Sequence, residues 1–176
     1  MHAHFNRLID ALFAASEAQA NAVWDLRESL SEVQKAEGGS IKHDVSVPLS
    51  KLPAFLEEAE AACVQAMPGL RPCAFGHFGD GNIHFNLSQP EGMEKAAFLA
   101  EWERFNRIVH DIVDRLDGSI AAEHGVGLIK RDELLHYGDP VALDLMRRLK
   151  AALDPRDLLN PGKVVALSAN PPRALP

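Results

Sequence analysis

Apolar residues recur along the chain with two periods, and the switch between them separates helices from strands. Phe5, Leu8, Ile9, Leu12 and Phe13 keep the three-and-four spacing of one helix face, as do Ala22, Val23, Leu26, Leu30 and Val33 after a break near Ala15-Ser16. Gly38-Gly39 stops the second run, on which Arg27 and Ser31 stand four apart and share a face. The period then drops to two. Ile41, His43, Val45 and Val47 alternate with Lys42, Asp44 and Ser46, which predicts a strand ended by Pro48. Ser50 is placed to cap a helix that turns Leu52, Leu56, Ala59 and Cys63 inward and ends at Pro68-Gly69. A strand from Arg71 to Phe78 follows, then the alternation of Ile83, Phe85 and Leu87 against Asn82, His84 and Asn86.

Past a loop at Gln89 to Gly92, the stripe Phe98, Trp102, Phe105, Val109, Ile112 and Leu116 predicts the longest helix, closed by Gly118. Ser119 to Ala122 reads as a further strand. Asp139-Pro140 opens a last helix, Asp at its cap and Pro in its first turn, with Leu143, Met146, Leu149 and Leu153 inward. Asn160-Pro161-Gly162 punctuates the end, residues 1–168 form one domain, and 169–176 read as an untethered, disordered tail. Strands interspersed with amphipathic helices predict an α+β fold, an antiparallel or mixed sheet covered by helices.

Candidate chemistry gathers between Gly76 and Asn86. Asp80-Gly81 is a two-residue hairpin signal, because a type I′ turn needs positive φ at both centres and glycine tolerates it. That turn would set His77 opposite His84, with Cβ atoms about 4.5–5.5 Å apart, close enough for two imidazoles to hold one metal ion. Downstream, Glu123-His124 between small residues and Gly125 offers a third ligand, and two histidines with one glutamate is a set used by catalytic zinc. A single histidine more often just hydrogen-bonds inside a polar core; the opposed pair with a carboxylate is what favours the metal. The same set also suits a non-haem Fe(II) centre.

Composition narrows the classes. A chain of 176 residues is long enough to bury a core, and its formal charge of −7 argues against non-specific nucleic-acid binding. Cys63 and Cys73 lack metal-motif spacing and the density of a disulfide scaffold, which fits a reducing cytoplasm. No apolar run reaches the roughly 18 residues of a membrane span.

Three motifs occur together in one order: Gly76-His-Phe-Gly-Asp-Gly-Asn-Ile-His84, Ala122-Glu-His-Gly-Val-Gly127, and Leu153-Asp-Pro-Arg-Asp-Leu-Leu-Asn-Pro-Gly-Lys163. The chain thereby resembles the C-terminal domain of FAD-linked oxidases, the group containing D-2-hydroxyglutarate dehydrogenases, D-lactate dehydrogenases and a glycolate oxidase subunit. The likeness covers the chain from about Leu8 to Val165. Leu26-Arg-Glu28 with Ser31, and Ile41-Lys-His-Asp-Val-Ser-Val-Pro48, bring it nearest to the first of these. The resemblance implies a ferredoxin-like cap whose first strand precedes this sequence. It implies that Arg27, Ser31 and Lys42 hold substrate carboxylates, that His77, His84 and Glu123 bind zinc, and that His124 acts as base. Asn86 would contact substrate or support the metal, and Asn160 with Lys163 would approach the flavin. Ser31 stands where related enzymes often have Thr.

The family binds FAD mainly through an N-terminal domain, and no glycine-rich phosphate loop follows a strand in this sequence. The expectation is a substrate-and-metal domain without its flavin half, inactive alone, binding no FAD and prone to self-association as a homo-oligomer. In the complete enzyme a D-2-hydroxy acid would pass hydride to the flavin, and electrons would leave to an acceptor such as an electron-transfer flavoprotein or a quinone. The competing reading is a non-catalytic interaction module or fragment.

Overall fold

The computed structural model of the chain describes residues 13–77 and 79–167, apart from the side chains of Ser31 and Lys35. The expected helix from Phe5 to Leu12 and the expected tail lie outside the described residues. The chain divides into two compact units, Met1–Ser119 and Ile120–Pro176.

In the first unit, helix α1 (Glu17–Ala36) precedes strand β1 (Ser40–Ser46), helix α2 (Leu52–Ala66), strands β2 (Arg71–His77) and β3 (Asn82–Ser88), and helices α3 (Lys95–Leu99) and α4 (Trp102–Arg115). The sheet is antiparallel with order β1-β3-β2, so β3 is central. The α+β architecture expected from the pattern is what forms. One face is apolar: Ile41, Val45, Ile83, Phe85 and Leu87 are buried under α2 and α4, which also pack on each other. The Phe55 ring meets Phe85 edge-on at 5.6 Å. His43 shares that face; its Nδ1 donates to the Phe85 carbonyl at 2.8 Å and its ring meets His110 edge-on at 5.8 Å.

Several expectations change. Ser50 is no cap, because it sits inside a one-turn 3-10 segment, Leu49–Lys51, and the helix starts after it. Phe55 takes the core position expected of Leu56, which is only half-buried. The long helix is two, broken at Ala100-Glu101, with Glu94 capping α3 by accepting from the Ala96 and Ala97 amides at 2.6 and 3.1 Å. Phe98 and Phe105 keep one stripe across the break, their rings 6.3 Å apart. Ser119 to Ala122 is not a strand: Ser119 makes a single bridge to Ser46 on the edge of β1, exchanging both backbone bonds at 2.8 and 2.9 Å. A Cβ on Gly118 would come within 2.3 Å of the Ser46 carbonyl oxygen, so only glycine permits that approach.

Helix α1 departs furthest. Ser16 caps it, accepting from the Gln19 amide at 3.2 Å. Its apolar stripe, however, faces away from the sheet, with Leu26 71% exposed and Val23 and Val33 also exposed. The side meeting the sheet carries Arg27 and Gln34.

The second unit holds helices α5 (Arg131–Tyr137) and α6 (Pro140–Leu153), joined to loops. Asp139 caps α6 as expected, accepting from the Ala142 amide at 2.8 Å. Of its expected inward residues only Leu143 is buried, while Met146, Leu149 and Leu153 are exposed. Among the described residues this unit has no sheet on which the stripe could lie. Helix α5 had no apolar stripe to announce it.

Candidate functional site

The face of the sheet opposite the core is polar. Strand alternation places Lys42, Asp44 and Ser46 of β1 on it, across from Asn86, His84 and Asn82 of β3, which in turn oppose Cys73, Phe75 and His77 of β2. Six of the expected site residues share the first unit: Arg27, Ser31, Lys42, His77, His84 and Asn86. The side chain of Ser31 lies outside the described residues.

The hairpin register differs from the expected one. His77 pairs with Asn82, and His84 with Phe75, so the loop has four residues and the imidazoles stand diagonally on one face instead of directly opposed. Asp80 and Gly81 are occupied otherwise than as the centre of a tight turn. The Asp80 carboxylate accepts from the Asn82 amide at 3.1 Å, and the Gly81 carbonyl accepts from the Val47 amide at 3.1 Å. Gly81 has φ +76°, and a Cβ there would lie 2.1 Å from the Val47 carbonyl oxygen. The turn is thus shaped by docking on the exit of β1.

His77 is exposed and accepts a hydrogen bond at Nε2 from Arg27 Nη2 at 3.0 Å; the same guanidinium lies 5.9 Å above the Phe75 ring. A guanidinium stays charged, so this bond fills the lone pair through which Nε2 would ligate a metal. His84 is more sheltered. Its ring lies 5.2 Å from Phe75, and its Nδ1 is 3.9 Å from Oδ1 of Asp44, its cross-strand partner. Asp44 is 3% exposed. The two present ligand atoms within 4.8 Å of each other. Sequence reading gave Asp44 no role. Its signal was its position on the Lys42 side of β1, opposite a histidine whose partner strand was not yet known.

In the second unit Glu123 and His124 are both exposed and also bring ligand atoms within 4.8 Å of each other. Neighbours on a regular strand point to opposite sides, so the backbone must turn at residues 123–125; Gly125 has φ +70°. An imidazole with a carboxylate, as each pair offers, is a donor set suited to a borderline divalent cation such as zinc. Asn160 and Lys163 lie in the same unit and touch each other, Lys163 Nζ donating to Asn160 Oδ1 at 3.0 Å; Asn160 has φ +52°.

The loop that carries them is anchored by charge. Lys150 donates to Asp154 at 2.5 Å and to the Leu159 carbonyl at 2.6 Å, while Asp154 accepts from the Leu158 and Leu159 amides at 3.0 and 2.8 Å. The Lys150 bond, then those amides, hold the Asp154 carboxyl down to about 2, and the bond to Asp154 raises Lys150 above its ordinary value. Arg131 Nη1 donates to the Gly162 carbonyl at 3.2 Å, and the Val164 amide to that of Gly127 at 2.8 Å, tying the glycine turn after His124 to the Asn160–Lys163 segment.

The family described as FAD linked oxidases, C-terminal domain, matches residues 2–164. A D-2-hydroxyglutarate dehydrogenase of Stutzerimonas stutzeri (strain A1501) is 39% identical over 159 residues, 90% of this chain and 34% of that protein. One from Xanthomonas citri pv. viticola is 41% identical over 155 residues, 88% of this chain and 33% of that protein. A mitochondrial D-2-hydroxyglutarate dehydrogenase of Arabidopsis thaliana is 31% identical over 156 residues, 89% of this chain and 26% of that protein. The chain thus spans about a third of the length of the bacterial relatives. No helix among the described residues is long and apolar enough to cross a membrane. With its motifs, its sheet and this match in agreement, the chain belongs to the FAD-linked oxidases, C-terminal domain family.

Proposed function

We propose that the chain is the substrate- and metal-binding part of an FAD-dependent dehydrogenase that converts a D-2-hydroxy acid to the 2-oxo acid. The observation that carries this is the polar sheet face, where Arg27, Lys42, His84 and Asn86 converge from a helix and two strands. Two cations on one face fit a dicarboxylate: Arg27 grips one carboxylate bidentately and Lys42 adds a point charge, with Ser31 as a hydroxyl contact. A carboxylate is a stronger partner for Arg27 than an imidazole, so a bound substrate would compete with His77 for the guanidinium; His77, His84 and Glu123 are the residues that would hold zinc.

When bound, zinc supplies Lewis acidity toward the 2-hydroxyl and the flavin accepts the hydride from C2. His124 would take the hydroxyl proton as hydride leaves C2, the flavin being the two-electron acceptor that such a step requires. Asn160 and Lys163 are the residues of this chain that would help hold the flavin, most of which an FAD-binding domain would bind. Electrons then pass to an acceptor such as an electron-transfer flavoprotein or a quinone.

The test separates ligand from base. Metal content of the purified chain and of two variants is measured by mass spectrometry after dialysis against zinc. Glu123→Gln should lower zinc affinity by ten- to a hundredfold or more, since a neutral amide is a poor ligand. His124→Ala should keep the metal but slow turnover by about 10²–10⁴-fold once the chain is joined to an FAD-binding domain. Zinc lost from His124→Ala and kept by Glu123→Gln would reverse the roles, and iron in place of zinc would favour the Fe(II) alternative.

A further inference from the structure

Gln34 belongs to none of the sequence motifs, yet it sits at the middle of the polar face. It follows Arg27 by seven residues on α1, two helical turns, so both side chains meet the β2–β3 hairpin from the same stripe. Its Oε1 accepts from Asn86 Nδ2 at 2.8 Å, and its Nε2 donates to Cys73 Sγ at 2.8 Å. Cys73 and Asn86 are cross-strand partners, and Gln34 and Asn86 are 7% and 3% exposed. One buried amide therefore spans a strand pair and fixes the direction of a second.

That direction has a chemical meaning. A primary amide presents two donors on one edge and an acceptor on the other, and a free one rotates between them. With Nδ2 committed to Gln34, Asn86 keeps Oδ1 on the opposite edge, a group that can only accept. The other cross-strand neighbour of Asn86 is Lys42, one of the two cations assigned to substrate.

We propose that Gln34 is a positioning residue that holds the Asn86 amide with Oδ1 toward the ligand, and so makes the site prefer a 2-hydroxy acid to its 2-oxo counterpart. The inference rests on the reading of Asn86 as a substrate contact. In the binding complex the single hydrogen of the 2-hydroxyl goes to Oδ1 and turns to His124 only as hydride leaves C2, whereas a 2-oxo oxygen sets acceptor against acceptor and leaves both without a hydrogen. Substrate is retained and product released by the same fixed dipole.

The experiment titrates the chain, by calorimetry, with D-2-hydroxyglutarate and with 2-oxoglutarate, and compares Gln34→Met and Gln34→Glu with the wild type. The wild type should favour the hydroxy acid by about tenfold, as one hydrogen bond gained against one acceptor clash. Gln34→Met keeps length but removes both polar atoms, so the ratio should fall to about twofold or less. Gln34→Glu, whose carboxyl still accepts from Asn86, should restore most of it. Nuclear magnetic resonance adds a readout that needs no ligand: the Asn86 side-chain amide protons should exchange slowly in the wild type and quickly in Gln34→Met. A wild type that binds both acids equally, or a preference unchanged in Gln34→Met, overturns the inference alone. Failure of the wild type to bind either acid overturns the substrate reading and the selection with it.

Discussion

The two units are held together by different physics. In the first, Phe55, Phe85, Phe98 and Phe105, from α2, β3, α3 and α4, are fully buried. In the second, Ile120, Leu143 and Val165 are the buried apolar residues among those described, and the fixed points are charged: Arg131 on a carbonyl, and Lys150 with Asp154 on loop backbone. A sheet lays many apolar side chains against one surface. Loops cannot, and their backbone groups need partners that side-chain charges supply. The candidate site follows this division, with Lys42, Asp44 and His84 on the sheet face, Arg27 on the helix that meets it, and Glu123-His124 on a loop beside Gly125.

The comparison breaks most visibly at the sheet. Phe85→Ala should cost about 3–5 kcal/mol, seen as a lower urea midpoint, because the ring is enclosed and its removal leaves a cavity. A loss under about 1 kcal/mol would mean the core is looser than its packing suggests.

Cys63 sharpens the same point. Burial pushes its thiol up to about 12, so at pH 8 its thiolate fraction is on the order of 10³ below that of an ordinary cysteine. Alkylation of the folded chain should label half-buried Cys73 first and Cys63 only on unfolding. Because the folded value is raised, this stabilisation is complete below the unfolded value near 9 and is lost as pH climbs toward 12. Cys63→Ser, which buries a hydroxyl, should destabilise by about 1–3 kcal/mol in a melt.

The second unit should answer to acid instead. Asp154 is depressed in the folded chain, so its contribution is fully present above the unfolded carboxylate value and fades as pH falls through about 2. Amide exchange at Leu158 and Leu159 should accelerate, relative to the intrinsic rate, between roughly pH 4 and pH 2. Asp154→Asn should loosen both amides at every pH and remove that dependence. The smallest effect is expected from Arg115→Ala: its exposed pair with Glu58 at 2.7 Å should contribute no more than about 1 kcal/mol, and less in high salt.

Local pattern settled the elements that depend on near neighbours. The strand expected over Ile41 to Val47 forms at Ser40–Ser46, with Lys42 and Asp44 on one side and Ile41 and Val45 on the other, because pleating alone fixes that alternation. The caps at Ser16 and Asp139 involve contacts within three residues. Asp139 was legible for that reason.

What local pattern left open was which surface each face would meet. A stripe at Leu26 and Val33 says that one side of α1 is apolar, yet the sheet is met by Arg27 and Gln34 because their partners, His77, Cys73 and Asn86, arrive from 39 to 52 positions away. The hairpin register moved by two because the Val47 amide, remote in sequence, takes the Gly81 carbonyl. Asp44 and Gln34 gained meaning only when β3 set His84 and Asn86 beside them. Residue chemistry and strand parity are written into the chain one position at a time; register and facing are long-range pairings, decided by which distant donors and acceptors are satisfied together.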